Sequence, residues 1–393
     1  MAKKNNSIFG TKSCFGCGVC ALACAKQLIE IKLNKEGFYE PVIAEPDKCT
    51  NCGLCSKVCS FSNQGLVSPN PVTAAYSAWS NNPKVRLKCS SGGVAFELGK
   101  KMLEEGGQVC AAKYNVEEAR AEHYVASTEE ELYPSIGSKY IQSYSVDGFK
   151  AINLKGKNLV VGTPCQIDSL RRLLKLKKVE DNFILVDFFC HGTPSMLAWK
   201  KYLEEAEKKT GEVTYVSWRN KIDGWHDSWA VNIDGVNNSL TAGWKDSYNL
   251  EIREKKTLLN SRWSRGDSFY GLFLGNYCLG KACYDNCKFK KYASSADIRV
   301  GDMWGSKFED CKEGVSAVLT FTQKGDDFVR SLDGCTINEE KPEVAAEGQI
   351  LKPVDKPWFR GIVMGLLKCR ALTTKQILFV AKVFNKLTRI IRK

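Results

Sequence analysis

Two runs of cysteine carry the first chemistry in this chain. Cys14, Cys17, Cys20 and Cys24 are repeated in spacing by Cys49, Cys52, Cys55 and Cys59, each run reading C-x2-C-x2-C-x3-C. Three thiolates in one tight turn seat three irons of a cluster, and the fourth cysteine of each run ligates the other cluster. The spacing therefore predicts two [4Fe–4S] clusters, one on Cys14, Cys17, Cys20 and Cys59, the other on Cys49, Cys52, Cys55 and Cys24. Structural zinc prefers two separated C-x2-C pairs around one tetrahedral ion, which two identical four-cysteine runs fit poorly. Gly18 and Gly53 keep the turns open so that backbone amides can approach the cluster sulfurs. A partly apolar hairpin, Leu28–Leu33 with Phe38–Ile43, is expected to cover them.

The rest of the composition bounds where such chemistry can occur. The 393 residues, 44% apolar and 26% charged, have the make-up of a globular protein long enough for two or three domains. Met1–Gly10 holds lysines but no apolar signal-peptide core, and no stretch of 18 uninterrupted apolar residues exists. A cytoplasmic location is the expectation, where thiols stay reduced and metal binding accounts for eighteen cysteines better than disulfides do. The net charge of +13 is concentrated at the end of the chain, where residues 351–393 hold eleven Lys/Arg against Asp355 alone. Nucleic acid is thereby excluded as the expected partner, since basic residues do not interleave with aromatics through the main domains.

The elements that position the chemistry divide into a cysteine-dense domain (1–65), a linker (65–73), two parts of a body (74–155 and 156–345) and a basic helical tail (346–393). Short apolar runs predict strands at Val109–Tyr114, Asn158–Gly162, Phe183–Phe189, Val213–Trp218, Ala230–Ile233 and Val315–Thr322. Helical periodicity lies at Val94–Glu105, Ile167–Lys175, Leu197–Lys208, Phe269–Leu274 and Asp326–Leu332. Leu159 to Phe189 has the size and order of one βαβ unit, and the closer later strands suggest antiparallel pairing. Trp218, Trp225, Trp229, Trp244 and Trp263 read as core or pocket walls.

Three body segments have the form of phosphate seats: Ser90-Ser91-Gly92-Gly93 before a helix, Gly137-Ser138-Lys139-Tyr140 before Gln142-Ser143, and Gly162-Thr163-Pro164-Cys165-Gln166 between strand and helix. Each alone is equally a helix cap. Further on stand Cys190-His191-Gly192-Thr193-Pro194-Ser195, Trp218-Arg219-Asn220-Lys221 with Gly224-Trp225, Cys283-x3-Cys287-Lys288-Phe289, Ala296-Asp297 and Gly301-Asp302-Met303-Trp304-Gly305. In this order, over about residues 75–310, the set resembles the beta-subunit family of the deazaflavin (coenzyme F420) hydrogenases and dehydrogenases, to which a two-cluster ferredoxin domain is a common fusion. The resemblance implies an α+β fold: a two-cluster ferredoxin-like domain, a mixed α/β flavin-binding body and a C-terminal amphipathic helix.

It also implies a third [4Fe–4S] cluster on Cys165, Cys190, Cys283 and Cys287. Cys278 is a competing ligand, and the alternative is that Cys165 and Cys190 are small buried residues like many free cysteines. For FAD the resemblance points to Ser91, Gly92, Gly93, Gly137, Ser138, Lys139, Ser143, Thr163 and Gln166, with Lys221 as a nearby cation. Arg219 and Lys221 read equally well as a solvated strand edge. The usual proline after the fourth cysteine is Ala25 in one run and Ser60 in the other, which removes a turn stiffener and no ligand.

Of three histidines, His191 beside a proposed ligand and His226 after the Gly-Trp motif are candidates to move a proton, and His123 has no motif support. In the tail, Ile377, Val380, Phe384, Leu387 and Ile391 fall at helical steps among Lys382, Lys386, Arg389, Arg392 and Lys393. Such a helix suits an anionic membrane surface, giving a peripheral location at the inner face, or an acidic partner, or packing on its own domain. The expected activity is oxidoreduction between a one-electron carrier and an organic or deazaflavin-type small-molecule substrate, with a redox partner protein. The competing class is a relay subunit that delivers electrons to a separate catalytic partner.

Overall fold

The computed structural model describes residue 8 and residues 13–237, 258–285 and 287–391; Trp244, Arg392, Lys393 and most of Met1–Gly10 lie outside that range. The cysteine module holds β1 (Ile29–Leu33) and β2 (Tyr39–Ile43), paired antiparallel as the expected hairpin, with short helices α1 (Val19–Ala23) and α2 (Leu54–Lys57). Gly18 and Gly53, at the N-termini of these helices, have φ of 72° and 78°, a left-handed turn that other residues rarely adopt.

The body is built on one nine-stranded sheet. Its members are β3 (Ala74–Ser80), β4 (Gln108–Asn115), β5 (Arg120–Ala126), β6 (Ser143–Tyr144), β7 (Asn158–Val161), β8 (Phe183–Phe188), β12 (Ile298–Asp302), β13 (Ser316–Thr320) and β14 (Cys335–Glu340), in the order β14-β3-β13-β12-β8-β7-β4-β5-β6. Strands β12, β8, β7 and β4 pair in parallel, flanked by antiparallel pairs on both sides. Both expected parts of the body thus contribute to one sheet, with β3 beside β13 and β4 beside β7. A second, three-stranded antiparallel sheet comprises β9 (Val213–Arg219), β10 (Trp229–Gly235) and β11 (Leu259–Arg262).

Helices follow in chain order as α3 (Pro83–Lys88), α4 (Val94–Glu104), α5 (Glu129–Leu132), α6 (Val146–Ala151), α7 (Pro164–Lys177), α8 (Met196–Thr210), α9 (Ser268–Leu274), α10 (Lys281–Asp285), α11 (Gln323–Arg330), α12 (Pro342–Ala345), α13 (Arg360–Lys368) and α14 (Thr374–Ile391). The predicted βαβ unit is β7-α7-β8. On one sheet face Val94, Leu98 and Met102 of α4 pack with Val109, Leu159, Val186 and Val318. On the other, Ile167, Leu170 and Leu174 of α7 pack with Val160, Leu185 and also Val19 and Val58 of the cysteine module. Burial of such side chains stabilises by about 1.5–3 kcal/mol each, so the module is joined to the body by core and not by tether.

The segment read as a linker is likewise anchored. Asp168 accepts from the Val67 amide (2.9 Å), Arg172 donates to the Gly65 carbonyl (2.6 Å) and Lys175 to the Ser68 hydroxyl (2.9 Å). Buried Asp187 and Arg299 form a two-point ion pair (2.6 and 2.7 Å) between the central strands β8 and β12. Trp218 and Trp225 are core residues as expected, whereas Trp263 is 51% exposed on a turn.

Candidate functional site

The module folds its eight cysteines into two groups that cross between the runs. Cys59 of the second run stands close enough to Cys14, Cys17 and Cys20 for its charge to raise their pKa values. Burial first, with the neighbouring thiols adding to it, pushes Cys14 up to about 12, Cys17 to about 11 and Cys20 well above its ordinary value. Cys24, Cys49, Cys52 and Cys55 line one small pocket with Leu28, Ile29 and Ile43, and Cys52 is exposed at its outer edge. Main-chain amides already point at sulfur: Gly16 donates to Cys14 (3.3 Å), Leu28 to Cys24 (3.5 Å), Asn51 to Cys49 (3.4 Å) and Ser62 to Cys59 (3.4 Å). Such bonds stabilise thiolates and tune the potential of a bound cluster. Among the described residues, no three His, Cys, Asp or Glu side chains are arranged around a single metal ion. Four thiols spread around a pocket fit a cluster of several irons, which offsets the charge of thiolates that burial otherwise disfavours.

In the body, Cys165, Cys190, Cys283 and Cys287 line one pocket, together with Phe15 and Gly16 of the module. Cys165 opens α7 at the carboxyl end of β7, and Cys190 follows the carboxyl end of β8, where parallel sheets place their sites. Cys278 is not part of this lining; it is buried with Phe38, Leu272 and Phe359 in a separate apolar cluster. Thr163 Oγ1 stands 3.2 Å from Cys165 Sγ, and Lys290 donates to the carbonyl of Cys190 (2.6 Å).

The module meets this pocket through short polar contacts. Cys17 Sγ lies 3.2 Å from Ser169 Oγ, and Cys17 and Cys165 are near enough for charge on one to raise the other's pKa. The Ser60 amide donates to Ser169 Oγ (3.1 Å) and its hydroxyl to the Cys165 carbonyl (3.2 Å). The departure from proline at position 60 thereby has a reason, because proline has no amide hydrogen to donate. Lys288, next to Cys287, donates to the carbonyls of Ser60, Asn63 and Gly65 (2.9, 2.5 and 2.9 Å).

Beyond the body pocket opens a cavity of about 440 Å³, within the range of small-molecule and cofactor sites. It shares Ser143, Thr163, Gln166, Cys190, Gly192 and Thr193 with the cysteine pocket. Its walls are apolar at Val94, Phe96, Ala111, Leu132, Ile136 and Phe188, with polar groups at Ser90, Ser91, Ser138, Lys139 and Asp302. That composition fits a flat heteroaromatic ring system with a polar edge.

Of the nine residues expected at a flavin, eight line the cavity; Gly92 does not. An added Cβ at Gly92 would come within 2.4 Å of the Ala78 carbonyl, so this glycine serves the approach of the loop to β3. Ser91 donates to the Val315 carbonyl (2.7 Å), and Gln166 and Thr163 form the cap of α7, with Gln166 also donating to Ser143 (3.1 Å). Lys139 directs its ammonium at the carbonyls of Pro134, Ser135 and Ile136 (3.0, 2.8 and 3.1 Å), while burial pulls its pKa down to about 7. Lys221 lies behind the wall, donating to the carbonyls of Arg86, Ser91 and Glu313 (2.6, 2.5 and 2.6 Å). It is buried, as is Arg219, so neither is a solvated strand edge.

Arg219 forms a two-point ion pair with Asp302 (3.1 Å for both contacts) and lies over the rings of Trp229 and Trp304. Trp229, Trp304, Tyr140 and Gln349 complete the cavity wall. The motif around Trp304 was visible in the sequence, whereas Gln349 had no motif to mark it. His191 lines the cavity with Nε2 2.6 Å from Asn276 Oδ1. His226 is exposed, outside the cavity lining, with Nε2 3.1 Å from the Phe308 carbonyl. His123, without a motif, does reach the cavity lining; its Nε2 is 3.1 Å from the Val161 carbonyl, and burial lowers its pKa to about 4.

Fold and site together define an iron–sulfur protein in which a two-cluster module is packed on an α/β body with a cofactor-sized cavity. Residues 13–63 match the model of the 4Fe-4S dicluster domain. Residues 75–148 and 156–344 match the N-terminal and C-terminal models of the coenzyme F420 hydrogenase/dehydrogenase beta subunit. The chain belongs to this family and is an iron–sulfur oxidoreductase subunit of it. Among solved structures it is similar to a chain of the F420-reducing [NiFe] hydrogenase complex from Methanosarcina barkeri. The identity is 15%, the alignment covers 81% of this chain and 94% of that chain, and the TM-score is 0.47. No curated protein matches it.

Proposed function

We propose that the chain is an iron–sulfur flavoprotein oxidoreductase that exchanges electrons between a one-electron, ferredoxin-type carrier and an organic or deazaflavin-type substrate, working with a redox partner protein. The observation that carries this reading is the shared wall: the body cysteines adjoin Cys17 on one side and share Thr163, Cys190, Gly192 and Thr193 with the cavity on the other. Cys14, Cys17, Cys20 and Cys59 would hold one cluster, Cys24, Cys49, Cys52 and Cys55 a second, and Cys165, Cys190, Cys283 and Cys287 a third. FAD would occupy the cavity. When bound, these groups supply single-electron steps and their exchange for a two-electron or hydride transfer.

The chain's own residues bind, orient and insulate. Exposed Cys52 leaves one quartet open to a partner, while Val94, Phe96 and Phe188 give the cavity an apolar wall. Lys221 holds the Ser91 loop in shape through its carbonyl contacts, and His191, fixed by Asn276, presents a polar edge beside Cys190.

Iron and sulfide analysis after anaerobic reconstitution tests the ligand sets: about twelve irons per chain are expected, falling to about eight in Cys283→Ser. About eight in the unaltered chain would remove the third cluster from the proposal. Failure of the reconstituted chain to bind FAD would remove the flavin. A stable complex without reductase activity on small acceptors would assign the chain to the relay class.

A further inference from the structure

The last helix has two apolar faces, and only one of them is used by the fold. Ile377, Leu378 and Ala381 of α14 are buried against Leu272, Tyr277, Val363 and Met364, so much of the stripe expected to meet a surface is spent on the body. The outward side carries a second row. Phe379 is 68% exposed, Val383 43%, Leu387 45% and Ile390 61%. At about 100° per residue these four fall within an arc of about 80°, and they extend over about 16 Å of helix.

Leaving such a row in water is unfavourable by the same burial term that drives the core. Its flank is uniformly basic: Lys375, Lys382, Lys386 and Arg389 are all exposed and fall on the adjoining arc, and α14 contains no acidic residue. Trp358 of the neighbouring segment is also exposed, at 62%, but it sits beside the row on the side away from the cations, donating through Nε1 to Thr388 (2.8 Å) and packing edge-on against Phe384.

We propose that this outer face of α14 is a docking surface for an anionic lipid bilayer, on which the protein lies with the helix parallel to the membrane plane. Charge decides the occupant: a continuous apolar row bordered by four cations and no acid matches acyl chains beneath a layer of negative headgroups. Lysine stems can lie along the apolar row while their ammoniums remain at headgroup depth. No helix among the described residues is long and apolar enough to cross a membrane, so the association is peripheral. The inference is independent of the proposed chemistry, since it uses neither the cysteines nor the cavity.

The test is flotation of the purified full-length protein with vesicles of phosphatidylcholine alone or with a third phosphatidylglycerol, at 0.1 M salt. The protein is expected to float with the anionic vesicles and to stay in the dense fraction with neutral ones. Lys382→Gln with Lys386→Gln should weaken partitioning roughly 25-fold, about fivefold per charge. Phe379→Glu with Ile390→Glu should abolish flotation while thermal unfolding and iron content stay unchanged, since both side chains are outside the core. Failure of the unaltered protein to float with anionic vesicles overturns the proposal. So does undiminished flotation of the Phe379→Glu, Ile390→Glu variant, and so does a dimer in solution that this variant dissociates, which would give the face to a second copy.

Discussion

Replacement of Gln142 by leucine should loosen the cysteine module locally where it meets the body, leaving the shared core of Val19 and Val58 in place. Gln142 is 4% exposed and bridges the two: its Oε1 accepts from the Tyr39 amide (2.9 Å) and its Nε2 donates to the Phe15 carbonyl (3.1 Å). Leucine has a similar volume, so the cavity term is small, but both main-chain groups lose their partner. A buried polar group left unsatisfied costs about 1–3 kcal/mol, and two of them therefore cost about 2–6 kcal/mol. That loss falls on the docking of the module and not on the nine-stranded sheet. At a factor of ten for each 1.4 kcal/mol, amide exchange of Tyr39 should accelerate between about 30-fold and 10⁴-fold. The amides of Leu159 and Val160 in β7 should keep their protection. Hydrogen exchange read by mass spectrometry at peptide level resolves the two regions. A Tyr39 segment exchanging within about threefold of the unaltered protein would refute the view that Gln142 fastens this edge of the module.

Gly92→Ala should destabilise the body by about 1–3 kcal/mol or more, because the new methyl group would lie 2.4 Å from the Ala78 carbonyl and 2.7 Å from the Ser316 amide; an unchanged thermal midpoint would contradict the packing role given to this glycine. Burial lowers the Lys139 pKa to about 7 from an ordinary value of 10.5, so between these pH values the folded, flavin-free protein binds fewer protons than the unfolded chain. Its stability relative to Lys139→Met should therefore rise as pH increases from about 7 toward 10.5 and be flat below; denaturant midpoints of the two proteins measured at pH 6, 8 and 9.5 report the sign.

Where strands were legible they were apolar and short. Asn158–Val161, Phe183–Phe188 and Val213–Arg219 sit where hydrophobic runs put them, and helical periodicity located α4, α8 and α9. The strands that escaped share a different cause. β12 places Arg299 in the middle of the sheet, where it is satisfied by Asp187 from β8, 112 residues away. β3 is rich in small residues, and β5 alternates His123 and Ala121 with Arg120 and Glu122, so neither reads as a strand before its neighbours are known. Lys139 and Lys221 are the residue types that bind anions, yet main-chain carbonyls brought close by the fold accept their hydrogen bonds.

The cysteine spacing by itself determined that this is an iron–sulfur protein, because ligation geometry is written in short sequence intervals. It also marked Cys165, Cys190, Cys283 and Cys287 through motifs, without their proximity. Only the tertiary structure decided that these four meet at one pocket, that Cys17 and Ser60 abut it, and that a cavity opens behind it. The same holds for α14, whose amphipathic pattern is plain in sequence but whose buried and open faces are assigned only by what packs beneath it. The physical reason is common to both cases. Local spacing sets what a side chain can do, whereas long-range packing sets which partners it meets and which of its faces remain in water.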